Sequence, residues 1–235
     1  MQRSIAAPQR LHLLTSMTTL PSTFRLLLWP SLITLAISCL RLTGEVQGWL
    51  HAKSGGGGQL LGIAWCMFVF GAWFATRLAR AGSTPRFTPT WPFGVGLLLL
   101  QVGSMMWAFG NVSQEPPIDD AAREAAMAVL RASVTQLAIC TSVLGACAFV
   151  IWPRLCWTLL LYGLGARATV VALTWLAKTK GWDTHYTKFG PQGFERAGMA
   201  DTMVGASLAQ FGIWVPLTIV TGTFAGAWFA RRRAA

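Results

Sequence analysis

The sequence predicts an all-α fold: a polytopic transmembrane helical bundle of about six spans, with both termini cytoplasmic. Three observations predict it. Apolar stretches of roughly bilayer length occupy more than half of the 235 residues. Charged residues make up 11% of the chain, against about 25% in soluble domains. The cations flank the apolar stretches or stand at their ends, as Arg25 and Arg41 do, and only Arg167 lies deep inside one.

The stretches run over residues 24–42, 60–76, 91–112, 132–152, 155–177 and 202–230. About 20 apolar residues match the hydrocarbon thickness of a bilayer. Lipid cannot satisfy backbone groups, so each stretch is expected to be helical. Residues 24–230 then form one transmembrane domain, preceded by a disordered basic segment over residues 1–23 and followed by a basic tail over residues 231–235. Met17 is an alternative start to Met1, since residues 1–23 hold no apolar core of their own. A signal peptide would need one. The chain is expected in the bacterial inner membrane.

Charge orients the bundle. Of the 19 Lys and Arg residues, Arg3, Arg10, Arg25, Arg77, Arg80, Arg86, Arg154 and Arg231 to Arg233 fall on the side of the termini. The loops of that side carry no acid, and its cations lie close to the spans. The positive-inside rule weights such residues most, which places both termini in the cytoplasm. The net charge of +11 then faces anionic lipid headgroups at the basic flanks. Nucleic acid is not the expected partner, because the cations form no continuous stripe.

Between the spans the chain is punctuated. Four consecutive glycines, Gly55 to Gly58, make a flexible loop. Asp119 or Asp120 can cap a helix that begins near Ala121, outside the membrane, and runs on to Trp152. Asp119 and Arg123 stand four apart and can pair. Trp152-Pro153-Arg154 leaves room only for a tight reversal into the next span. Small residues recur four apart at Gly71 and Ala75, at Ala138, Ser142 and Ala146, and at Gly222 and Gly226. Such faces let helices approach closely, within the chain or in a homo-oligomer or a complex with another membrane protein. Of the tryptophans, Trp91, Trp107, Trp152, Trp157, Trp175, Trp182 and Trp228 suit an interfacial belt, and Trp65 and Trp73 suit helix contacts. Cys39, Cys66, Cys140, Cys147 and Cys156 read as small buried hydrophobes, since no C-x-x-C is present.

Chemistry concentrates in two places. Arg167 lies inside the fifth stretch, where a central Arg costs about 2.5–3.5 kcal/mol on insertion scales. It needs a partner, and no carboxylate lies at its depth. Gln101, Gln136, Gln210, Tyr162 and backbone carbonyls are the candidates. Two readings stay open: a ligand or anion contact built from Arg167, Gln210 and Tyr162, or a structural Arg held by amides. The second place is the loop Lys180-Gly-Trp-Asp-Thr-His-Tyr-Thr-Lys-Phe-Gly-Pro191. His185 and Asp183 are its weak catalytic candidates, as an acid–base pair; the alternative is an interfacial loop. No second His lies nearby, so no metal site is expected.

Gly163-Leu-Gly165-Ala-Arg-Ala168 imitates a dinucleotide fingerprint, but it lies in a continuous apolar run without strand–helix–strand alternation. No phosphate loop, nucleophile elbow or His-Glu-x-x-His occurs, so no cofactor is expected.

Tyr162-Gly163, Ala166-Arg167, the Trp182-x-Thr184-His185-Tyr186 loop, Gln210 to Trp214 and Thr221 to Gly226 resemble a group of uncharacterised bacterial polytopic membrane proteins, over roughly residues 160–230. The resemblance implies no activity. It implies that Arg167 and the loop belong together, so that Arg167, Gln210 and His185 line one outward-facing crevice.

The functional expectation is a non-catalytic accessory or small-solute-handling membrane component, because few ionisable residues enter the spans. The alternatives are an enzyme acting at the outer face on a lipid or lipid-linked substrate, and a structural subunit of a membrane complex.

Overall fold

The computed structural model describes residues 23–52, 61–110, 112, 118–188 and 198–230. The basic N-terminal segment (apart from Thr23), the Gly55–Gly58 run and the tail over residues 231–235 lie outside them. All described regular structure is helical: α1 (Thr23–Val46), a 3₁₀ turn (Ile63–Trp65), α2 (Cys66–Arg80), α3 (Trp91–Phe109), α4 (Asp120–Ile151), α5 (Pro153–Thr179), α6 (Met199–Ser207), a π-helical segment (Leu208–Trp214) and α7 (Val215–Ala230). No strand occurs among the described residues.

Among the described residues, five helical rods are long and apolar enough to cross a membrane: α1, α3, α4, α5 and the rod running from Met199 to Phe229. The second predicted stretch is shorter and displaced. Residues 60–76 were expected to be helical, whereas α2 spans Cys66–Arg80. Gly62 is extended and starts only a 3₁₀ turn. At the other end Arg77 and Arg80 occupy the last turn, where cations are favoured by the helix dipole. The helix therefore runs past the apolar limit.

The last rod is the hub. α7 packs against α2, α3, α4 and α5, while α1 packs mainly along α5. The glycine faces explain the closest of these contacts. A Cβ on Gly71 would overlap the Gly222 backbone, and one on Gly226 would press on Ala75 and Leu155. The predicted Gly71/Ala75 and Gly222/Gly226 faces thus meet each other inside the chain. The α4 face is corrected. Ser142 and Ala146 are exposed, and the buried stripe is Leu137, Thr141, Gly145 and Ala148. Gly145 accommodates Pro216 of α7, and Ala138 faces Gly212.

Asp119 is the N-cap of α4 and accepts a hydrogen bond from the Ala122 amide at 2.7 Å. Its carboxylate caps the helix end, and Arg123 meets it only through the backbone, its amide donating to the Asp119 carbonyl. At 1.5 Å per residue the 32 residues of α4 extend about 48 Å. Trp152 separates α4 from α5 and is buried, its indole N–H donating to Ser83 Oγ at 3.2 Å. It belongs to the core and not to an interfacial belt. Trp65 departs in the other direction: it is exposed. Of the cysteines only Cys66 and Cys156 are buried, and Cys39 and Cys147 face outward. In lipid an outward Cys costs little, so apolar sequence context does not select burial.

α1 shows why lipid solvent changes the reading of a helix. Its buried stripe is Leu26, Pro30, Thr34, Ser38, Arg41, Leu42, Gly44 and Glu45, and its outward face carries Phe24, Leu28, Trp29, Leu32, Ile33, Leu35 and Leu40. The polar residues point inward because only the protein can satisfy them. Thr34 and Ser38 donate to the carbonyls one turn back, Pro30 and Thr34, at 2.8 and 2.9 Å.

Candidate functional site

α5 ends in a Schellman turn. Gly181 adopts φ +66°, a conformation glycine reaches without strain. The Gly181 amide donates to Lys178 O and the Trp182 amide to Ala177 O. α1 ends the same way at Gly48, with φ +75°; the Trp49 amide donates to Gly44 O and the Gly48 amide to Glu45 O. The turn after α5 folds the Trp182–Lys188 loop against the last turns of α1, and a buried polar cluster forms there.

Glu45 is its centre, with a side chain wholly out of solvent. Arg41 Nε donates to Glu45 Oε1 at 2.9 Å. The His185 backbone amide donates to Glu45 Oε2 at 2.9 Å, and His185 Nδ1 faces both oxygens, 2.7 Å from Oε1 and 2.8 Å from Oε2. The His185 ring packs on that of Tyr186, tilted by 46°, with centroids 3.9 Å apart. Tyr186 is buried, and its hydroxyl donates to Ser38 O at 3.2 Å. Burial pushes the Tyr186 phenol well above its ordinary range, so it stays neutral.

The predicted pairing of His185 with Asp183 is therefore corrected. Asp183 is largely exposed and pairs with Lys188 at 2.7 Å. Its position on the open side of the loop keeps it from the imidazole, whose partner comes from a helix 140 residues away in sequence. Arg41 and Glu45 were missed because they stand at the end of an apolar stretch and read as flanks. Their spacing of four was the available signal, since it puts both on one helix face.

The second site surrounds Arg167, which is 5% exposed. α5 supplies the guanidinium, α2 supplies Met67, and the π-helical segment supplies Gln210 and Trp214. Arg167 Nη1 donates to Gln210 Oε1 at 3.5 Å. Nη2 approaches the Met67 thioether sulfur at 3.8 Å. The Arg167 Cζ lies 4.6 Å from the centre of the Trp214 ring. Nε is buried without a hydrogen-bond partner. The wider π turn places Gln210 and Trp214, four residues apart, against the same guanidinium. Short π segments inside α-helices often accompany functional sites.

Tyr162 lies below Arg167 on the same helix, packed edge-on against Phe70 and Phe74 at centroid distances of 5.6 and 5.5 Å. Its hydroxyl shares a 2.7 Å hydrogen bond with Thr34 Oγ1 and so is committed to α1. Gln101, another candidate partner, donates instead to Thr141 at 3.0 Å. The structure thus brings Arg167 and Gln210 together, ties Tyr162 to α1, and binds His185 to Glu45 in a second cluster.

What the two clusters can do differs. Glu45 orients the His185 ring and leaves Nε2 as its remaining polar atom, an arrangement able to accept a proton. Arg167 presents positive charge that no described carboxylate neutralises, an arrangement able to hold an anion. No group of three or more metal-ligating side chains occurs among the described residues. No family model, curated protein or solved structure matches the chain.

Proposed function

We propose that this chain is a six-span, non-catalytic protein of the bacterial inner membrane that handles a small anionic solute, with Arg167 as the anion contact and both termini cytoplasmic. One observation carries the reading: a guanidinium buried at mid-span, held by an amide oxygen, a thioether and an indole face, and by no carboxylate among the described residues. A membrane Arg normally gains a counter-charge from a neighbour or a ligand. In the six-span arrangement α2 crosses with the other helices, supported by its close packing along α7. Anionic lipids would cover the basic flanks at Arg77, Arg80, Arg86 and Arg154. A protein partner or a second copy would sit on the outer helix faces.

The test is purification in mild detergent with identification of co-purifying small molecules by mass spectrometry. Wild-type protein should carry an anionic compound that Arg167→Gln lacks. Identical small-molecule profiles would overturn the assignment. Reporter fusions at Ala235 and near Gly57 should report opposite sides of the membrane.

The enzyme reading keeps one specific support, the Glu45–His185 contact. It predicts that His185→Ala is expressed normally and abolishes turnover of a lipid-linked substrate.

A further inference from the structure

The chemical class of the anion follows from which edge of Arg167 is open. Nε–H and one Nη2–H of a guanidinium point in parallel, and this edge takes a carboxylate or phosphate through two hydrogen bonds at once. In Arg167 the Gln210 amide oxygen is used by Nη1, at the other edge. The parallel edge has no oxygen partner: Nε is unpartnered, and Nη2 has the Met67 sulfur at 3.8 Å. A thioether is a weak acceptor on a flexible, unbranched stem. It fills the place of a ligand without replacing one.

Charge narrows the class further. Among the described residues no carboxylate pairs with Arg167, and its ionisable neighbours Tyr162 and Cys66 are ordinarily neutral at pH 7. One guanidinium therefore stands alone at a depth where net charge is costly. A monoanion brings the site to neutrality. A phosphate monoester, carrying close to two charges, leaves an excess negative charge.

Resting on the anion-contact reading above, we infer that the Nε–Nη2 edge of Arg167 binds a monocarboxylate side-on, the Met67 side chain swinging away to admit it. The apolar remainder of the ligand lies among side chains such as Met67 and Trp214. Both a water-borne short-chain acid and a membrane-borne fatty acid carry this group.

The experiment measures thermal unfolding of the full chain in mild detergent while titrating hexanoate, hexyl phosphate, hexylamine and hexanol, with oleate added in lipid nanodiscs as a separate arm. Hexanoate or oleate should raise the midpoint of wild type, and which of the two does so names the source. Arg167→Lys keeps the charge but loses the fork, and should bind the carboxylate roughly tenfold more weakly, as when one charge-assisted bond of a pair is lost. Met67→Ala should bind it more tightly, since nothing is displaced. Equal or stronger stabilisation by hexyl phosphate overturns the carboxylate assignment and leaves the anion contact standing. Equal affinity of Arg167→Lys overturns the two-bond, side-on assignment and leaves the anion contact standing. Equal effects of hexanol or hexylamine, or no effect of any anion, overturns both.

Discussion

Two arginines of this chain are buried to the same degree and meet opposite surroundings. Arg41, 3% exposed, lies one turn from Glu45 and shares that carboxylate with His185. Arg167, 5% exposed, touches an amide, a sulfur and an indole. The first charge is neutralised by the chain itself, near the end of its helix. The second is left positive at mid-span, where the cost of charge is greatest. The difference between them is the carboxylate: Arg41 has one in Glu45, and Arg167 has none among the described residues, which is why the proposed anion is placed there.

The largest effect should come from breaking the Glu45 cluster. Glu45→Ala strands Arg41 without its carboxylate and removes the anchor of the Trp182–Lys188 loop. Loss of one partner of a buried pair costs about 3–5 kcal/mol, so detergent-solubilised Glu45→Ala should unfold far more readily than wild type. A loss below about 1 kcal/mol would mean that the cluster is solvated and does not hold the loop.

Arg167→Leu should move in the opposite direction. It removes a charge with about 2.5–3.5 kcal/mol of insertion cost and forfeits a cation–π contact of about 1–2 kcal/mol. The net expectation is a gain on the order of 1–2 kcal/mol, together with loss of the anionic solute. Stability gained with function lost is the pattern of a binding residue. Stability lost would show that Gln210 and Trp214 satisfy the guanidinium fully, and the contrast between the two arginines would vanish.

How far the sequence foretold this contrast depends on range. Asp119 was legible as a cap because its partner is three residues away. Gly71 and Gly222 were legible because small residues at spacing four permit close approach, although the same spacing at Ser142 and Ala146 faces outward. Arg167 was legible by cost alone: no other charge sits so far from a span end. The Glu45–His185 contact was not legible, since it joins segments 140 residues apart and Asp183 offered a nearer carboxylate. The inward face of α1 was hidden for another reason. Its stripe mixes apolar residues with Thr34, Ser38, Arg41 and Glu45, so it lacks the hydrophobic periodicity that marks a buried face in water. The start of α2 was missed because apolar content, which set the limit at residue 60, does not see that Gly62 is extended and that the chain then makes a 3₁₀ turn before the helix.

A smaller effect separates the two bonds that His185 gives to Glu45. His185→Ala removes the ring contact and retains the backbone amide bond at 2.9 Å. Arg41 also remains on Glu45 Oε1. One hydrogen bond to a charged group contributes about 1.5–3 kcal/mol, and here the carboxylate keeps two other donors, so the loss should sit at the lower end, well short of Glu45→Ala. Equal losses for the two variants would show that the ring, and not the backbone, carries the loop.

The smallest effect should come from Asp183. It meets Lys188 at 2.7 Å with a side chain 77% exposed, and exposed pairs are screened and entropically costly to hold. Lys188 also donates to Ala52 O at 3.2 Å, so the lysine keeps a partner when Asp183 is changed. Asp183→Asn should alter stability by less than about 0.5 kcal/mol and leave solute binding untouched. It shares a loop with His185 and lies only two residues away, which makes it the sharpest control on the cluster. If Asp183→Asn matched His185→Ala in a thermal-unfolding series, the loop would be held by its surface charges, and the buried carboxylate of Glu45 would no longer explain why this segment sits where it does.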